Sequence, residues 1–147
     1  MAMDFEKYAM KGNEFLNRLA TNLGNEDRDH AARIVRSTFR VLRNHVTLEE
    51  SFQLLSQLPM ALKGIYVDGW KLSDHRKIKT IDDLVTEIIQ EEGNAAWRDF
   101  NSKEEIIDAV RAVIDTLKSY VSSGEINQFL GTLPRQLQDL FQSSPIE

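Results

Sequence analysis

Four arginines lie at helical spacing in the first half of the chain: Arg33, Arg36, Arg40 and Arg43. Spacings of three and four residues bring side chains onto one face of a helix, here opposite its apolar face. Such a face could contact nucleic-acid phosphates. Against that, the chain carries a net charge of −5, and no aromatic residue shares the arginine face of the helix, where it could stack on bases. Weak nucleic-acid binding is therefore our third alternative, and we expect nucleic acid not to be the partner.

Histidine and carboxylate residues offer a second kind of chemistry. Glu26 and Asp27 precede His30 by four and three residues, a spacing that can present two ligands to zinc or a di-iron centre. A complete site needs three or four ligands, and the sequence supplies no second imidazole nearby. There is no cysteine, no phosphate-binding glycine loop and no nucleophile elbow. We predict no metal, no cofactor and no catalytic residue, although catalysis stays open.

Aromatic residues mark a possible binding cleft. Tyr66 and Trp70 flank an Asp-Gly turn, and His45 ends the arginine-bearing helix. We name these three residues as candidates for a ligand cleft between two halves of the molecule. In the alternative interpretation, Trp70 simply fills the seam between the halves. His75, in a basic linker, is expected to be exposed.

Apolar periodicity predicts that helices carry all of these residues, and no stretch alternates as a strand does. The first helix is predicted from about residue 4 to 23 with Gly24 as its stop, and the second from about 27 to 44. Capping boxes are predicted at Thr47–Glu50 and at Ser102–Glu105. Thr80 begins a further helix that ends near Gly93, and in all eight helices are expected.

The helices repeat. Residues 32–66 align with residues 107–141 at a shift of 75, keeping core positions apolar: Val35 and Val110, Leu42 and Leu117, Leu55 and Leu130, Leu62 and Leu137. The first helix aligns at a shift of 69, so about six extra residues, around 94–101, enter the second copy and bring Trp97 with them. We predict internal repeats over 4–70 and 80–142, related by a pseudo-twofold axis.

That axis predicts an electrostatic latch. With the two long helices antiparallel, Arg33 would face Asp115 and Arg40 would face Asp108. The interaction face would then comprise the four arginines with Asp108 and Asp115, either within one chain or between subunits. Exposed pairs of this kind contribute only about 0.2–1 kcal/mol each.

The end of the first repeat also carries a resemblance. Residues 57–66, QLPMALKGIY, followed by Asp68-Gly69-Trp70, and residues 3–8, MDFEKY, resemble a prokaryotic family of small helical proteins, the domain of unknown function 2267. The resemblance implies a compact all-α domain with orthogonal helices and no established activity. The second copy departs from the pattern, with Asp139 in place of Gly64 and Phe141 in place of Tyr66. If the pattern has a task, we expect it in the first copy.

Together these patterns predict one compact all-α domain over residues 1–147, built as two tandem four-helix repeats. No signal peptide or membrane span is predicted, and we expect a cytoplasmic protein. We expect a non-catalytic protein-interaction or scaffold module that binds a second copy of itself or another protein. The alternative is a small-ligand-binding protein or cryptic enzyme with a cleft between the repeats.

Overall fold

The computed structural model describes residues 4–72 and 79–142, and within these ranges all regular secondary structure is helical, with no strand. Every predicted helix is present, and one short helix, α6, was not predicted. A single 3₁₀ turn, Gly93–Ala95, precedes α6. No helix in these ranges is long and apolar enough to cross a membrane. In order, the helices are α1 Phe5–Leu23, α2 Arg28–Arg43, α3 Leu48–Leu55, α4 Met60–Val67, α5 Ile81–Glu92, α6 Ala96–Asp99, α7 Lys103–Leu117, α8 Ser123–Gly131 and α9 Arg135–Gln142.

Local capping chemistry sets the helix ends. Asp4 accepts a hydrogen bond from the Lys7 amide at 3.1 Å and begins α1. Gly24 ends α1 with φ 72° and ψ 24°, the left-handed conformation that glycine adopts without strain. Asp27 begins α2 by accepting from the Asp29 amide at 2.9 Å. These ends agree with the predicted ones because caps depend on residues close in sequence.

Each of the two predicted capping boxes forms only one of its two hydrogen bonds, the one accepted by the hydroxyl of the cap residue. The Thr47 hydroxyl accepts from the Glu50 amide at 3.1 Å, but the Glu50 side chain turns inward and accepts from Gln128 at 3.0 Å. Likewise the Ser102 hydroxyl accepts from the Glu105 amide. The Glu105 side chain accepts from the amide of Asn101, the residue before the cap, instead of from Ser102 itself. A tertiary partner or a neighbouring amide therefore replaces the return bond.

The core lies around the two long helices, α2 and α7. Helix α1 packs against α2, α4 and α7, whereas α5 packs against α2 and α7, and α3 packs against α8. The largest fully buried side chains include Phe15, Phe39, Tyr66 and Phe129. Burying a large apolar side chain contributes about 1.5–3 kcal/mol, so this aromatic centre fixes the position of α2.

One glycine lets two helices approach closely. Gly12 is buried in α1, where an ideal Cβ would lie 2.8 Å from the Cβ of Ala61 in α4. A real Cβ cannot occupy that distance, so any side chain would push the helices apart. A glycine inside a helix ordinarily only weakens it, and this close approach of α1 to α4 gives the reason for Gly12.

Candidate interaction site

The inserted stretch between α5 and α7 begins at a glycine with a special backbone. Gly93 ends α5 with φ 59° and ψ −131°, which side-chain-bearing residues rarely adopt. The matching Gly24 has ψ 24°, so the two glycines send the chain in different directions. After Gly93 the chain makes the 3₁₀ turn and then α6, which carries Trp97 and Asp99.

Asp99 anchors this stretch to α2. Its carboxylate accepts from Arg33 Nε at 2.9 Å and from Arg33 Nη2 at 2.8 Å, and it lies 3.1 Å from His30 Nδ1. The Asp99 side chain is only 3% exposed. Burial alone would raise the pKa of Asp99, but Arg33, Glu92 and His30 together hold it well below its usual range. The carboxylate is therefore ionised and held by a two-pronged arginine.

A second carboxylate sits beside the anchor. Glu92 Oε1 accepts from the Ser37 hydroxyl at 2.9 Å, and Oε2 is buried without a hydrogen-bond partner. Burial and the adjacent Asp99 raise the pKa of Glu92 to about 7. The pKa values of these two neighbouring carboxyls are therefore shifted in opposite directions. No group of three potential metal ligands occurs in residues 4–72 and 79–142.

The anchored turn presents an apolar groove, which we call the Trp97 groove. Trp97 is 74% exposed and Ile89 is 44% exposed. They border a cavity of about 500 Å³ whose apolar walls also include Val85, Phe100 and Ile106. The Arg33–Asp99 bonds fix the end of α6, so they also fix the position of Trp97.

Comparison with known proteins gives a family for this chain. A family model described as "Uncharacterized conserved protein (DUF2267)" matches residues 12–140, from α1 to α9. The chain belongs to the DUF2267 family. None of the curated proteins matches it. The resemblance read from residues 57–70 is confirmed, and membership brings no activity to test.

The predicted latch does not form within this DUF2267 chain. Arg33 donates hydrogen bonds to Asp99 rather than to Asp115, which pairs at 3.2 Å with Lys118 at the end of its own helix. The physical reason is that the insert places Asp99 beside Arg33. A latch between subunits stays a prediction.

Arg40 also has other partners than the predicted Asp108. Its guanidinium lies 3.4 Å from Asp68 and 3.8 Å from Glu91. Arg36 is exposed and has no partner among the residues that the structure describes. Asp108 is exposed on α7.

Arg43 does not share a solvent face with the other arginines, as the sequence had predicted. It is buried, and its Nη1 donates to the carbonyls of Tyr66 at 2.8 Å and Asp68 at 2.7 Å. Burial lowers its pKa. These bonds satisfy carbonyls at the end of α4, so Arg43 ties α2 to that end. Two of the four arginines are therefore not available to contact phosphates, because Arg43 is buried in the core and Arg33 is bonded to Asp99.

Tyr66 and Trp70 lie together, whereas His45 is directed towards α5. Tyr66 is fully buried, its hydroxyl 2.6 Å from Ser51 Oγ, and burial raises its pKa to about 12. Trp70 packs edge-on against Tyr66 with ring centroids 5.6 Å apart. His45 Nε2 instead lies 3.0 Å from Glu87 in α5. A cavity of about 210 Å³ beside Trp70 is lined by neither Tyr66 nor His45.

The ring contacts of Trp70 do not support the alternative interpretation, in which Trp70 fills the seam between the two halves. Trp70 contacts Tyr66 and lies 5.9 Å below the guanidinium carbon of Arg43, and both belong to the first half. Glu26 and Asp27 are not gathered with His30 into a ligand set, since His30 faces Asp99. His75 lies outside the described residues. Sequence reasoning missed Asp99 and Glu92; the break in the repeat at 94–101 was the one signal that pointed to them.

Proposed function

We propose that the protein is a non-catalytic protein-interaction module and that its contact surface is the Trp97 groove. The supporting observation is Trp97 itself, a large side chain left 74% exposed on a turn that partly buried hydrogen bonds from Arg33 to Asp99 hold in place. Tryptophan is enriched among the residues that dominate binding energy, and exposed apolar surface next to a groove marks contact sites.

A second copy of the chain is the partner we propose. Trp97 stands at the edge of a groove of about 500 Å³ that it also lines. Under a twofold axis each copy can place its Trp97 in the groove of the other, because such a contact uses one surface twice. Because this twofold contact uses both the Trp97 and the groove of each copy, it closes at a dimer instead of extending into a fibre.

We also propose the tandem-repeat architecture with a pseudo-twofold axis. Helices α2, α3 and α4 begin at 28, 48 and 60, and α7, α8 and α9 begin 75 residues later at 103, 123 and 135. The packing is crossed as such an axis requires: α1 lies on α7, and α5 lies on α2. The α3–α8 contact joins equivalent helices and buries the equivalent carboxylates Glu50 and Glu125. The insert around Trp97 is where the two copies differ.

Sedimentation equilibrium across a wide concentration range tests the interaction. We expect the wild type to form a dimer and Trp97→Ala and Trp97→Lys to shift it to monomer, with Lys more severe because it would place a charge in the groove. Phe52→Ala is the matched control, because Phe52 is also a largely exposed aromatic residue, on α3. A wild type that stays monomeric throughout, or a dimer indifferent to Trp97, would contradict the proposal.

A further inference from the structure

Arg36 is the one arginine of the α2 series that the described residues leave unpaired. Arg33, Arg40 and Arg43 are held by carboxylates or by backbone carbonyls. Arg36 instead lines two neighbouring cavities, one of about 210 Å³ and one of about 450 Å³. A guanidinium that faces open space between cavities is available to a ligand.

Gly64 borders the larger cavity without a packing reason to be glycine. It lies inside α4 at a backbone conformation open to any residue, since the glycines with positive φ are Gly24, Gly69 and Gly93. A Cβ added to Gly64 would meet no atom within 4 Å, unlike one added to Gly12. Glycine inside a helix is destabilising by roughly 0.5–1 kcal/mol relative to alanine. The missing side chain has one visible effect, which is to keep the cavity open.

The lining of this cavity indicates the chemistry of a ligand. It has one cation, Arg36, one anion, Asp68, and an apolar wall of Ala61, Gly64 and Ile65. The single positive charge of the lining suits a carboxylate. Asp68 suits an ammonium group, because Arg40 lies 3.4 Å from only one of its carboxylate oxygens and the side chain is 72% exposed. A dianion such as phosphate would be repelled by Asp68.

The smaller cavity makes the same distinction. Beyond Arg36 it is lined by Arg33 and Arg40, but also by Glu91 and Glu92, so the positive charge there is partly offset. The small charge that is left suits a single carboxylate better than a polyanion.

We propose that the larger cavity binds a small aliphatic amino acid, with its carboxylate on Arg36, its ammonium group on Asp68 and its side chain against Ala61, Gly64 and Ile65. This site is separate from the Trp97 groove and does not depend on dimer formation. The ligand is recognised as a zwitterion, so both charges of the amino acid contribute to binding.

Isothermal titration with alanine, valine and leucine, and with two analogues of leucine, tests the assignment. Leucinamide lacks the carboxylate and 4-methylpentanoate lacks the ammonium group. We expect at least one of the amino acids to bind and each analogue to bind at least about tenfold more weakly than leucine, because each loses one charge-assisted contact. If none of the three amino acids binds, or if 4-methylpentanoate binds as well as leucine, the proposal is overturned.

Two variants locate the site. Arg36→Gln removes the cation and should abolish binding, whereas Arg28→Gln, an exposed arginine at the start of the same helix, should not. Gly64→Leu fills the cavity and should also abolish binding. Its control is Gly124→Leu, an exposed glycine in α8 whose Cβ likewise meets nothing within 4 Å. Binding that survives both Arg36→Gln and Gly64→Leu in folded protein would overturn the site.

Discussion

Removal of the Asp99 carboxylate should destabilise the protein more than removal of any exposed carboxylate. Asp99→Ala deletes the acceptor of two hydrogen bonds from Arg33, at 2.9 and 2.8 Å, and the partner of His30 at 3.1 Å. Because Asp99 is 3% exposed, water does not satisfy it in the folded state. Its loss leaves the partners on α2 without their acceptor.

The structure bounds the size of the effect. A hydrogen bond to a charged group contributes about 1.5–3 kcal/mol, and breaking a fully buried ion pair costs about 3–5 kcal/mol. The Arg33 side chain is 38% exposed, so water can hydrate its guanidinium once Asp99 is gone. We therefore expect a loss of about 2–3 kcal/mol, which for a chain of this length lowers Tm by roughly 10 °C.

Urea unfolding followed by circular dichroism measures the global loss, and amide exchange measures the local one. The Phe100 amide donates to the Ala96 carbonyl at 2.9 Å and reports on α6; its exchange should accelerate in Asp99→Ala. Asp108→Ala is the control, since Asp108 is exposed and should change stability by less than about 0.5 kcal/mol. Equal stability of the two variants, with unchanged exchange at Phe100, would refute the anchor.

Three further substitutions test the packing and the charges. Burial and Asp99 raise the pKa of Glu92 from 4.5 to about 7, so the folded state binds a proton more tightly than the unfolded state. Wild-type stability should therefore fall as pH rises from about 4.5 through 7, and Glu92→Gln should remove that slope in urea unfolding at serial pH values. Gly12→Ala should lower the unfolding free energy by about 1–3 kcal/mol in the same assay, because the new methyl collides with the neighbouring helix, and a rise would contradict this. Tyr66→Phe removes the hydroxyl that lies 2.6 Å from Ser51 and should cost about 1–2 kcal/mol; an unchanged midpoint would mean that this buried bond is not needed.

Helix positions were predictable because their causes are local. Asp4, Gly24 and Asp27 act within a few residues of their own helix ends, and apolar periodicity identifies the core face of each helix. The shift of 75 gave the starts of α7, α8 and α9 once those of α2, α3 and α4 were known.

The site was not predictable because its contacts are distant in sequence. Arg33 and Asp99 are 66 residues apart, and α6 has only four residues, too few to show a period. The burial of Arg43 depends on the carbonyls at the end of α4, which no pattern in α2 reveals. The Glu50 side chain accepts a hydrogen bond from Gln128, 78 residues away, instead of completing its capping box. In each case a tertiary partner overrode a local preference.

The four regularly spaced arginines of α2 have four different surroundings in the structure. At helical spacing they are chemically equivalent, yet each meets a different neighbour: Asp99 of the insert at Arg33, open cavities at Arg36, Asp68 and Glu91 at Arg40, and backbone carbonyls at Arg43. A phosphate-binding face would need these charges free and on one side, and only Arg36 meets that condition among the described residues.

The difference between the two halves also points to the Asp99 anchor and Trp97. In the proposed repeat, position 108 corresponds to Arg33 but holds an exposed aspartate, and the first copy has no insert to supply an Asp99. Among the described residues the anchor, and with it the fixed Trp97, therefore occurs once, at the point where the proposed repeat is interrupted. Loss of the anchor should then weaken association without any change in the groove residues: Asp99→Ala should shift the proposed dimer towards monomer while Trp97 is still present. If folded Asp99→Ala forms the dimer as well as the wild type does, dimer formation does not depend on the Arg33–Asp99 bonds, and this prediction is wrong.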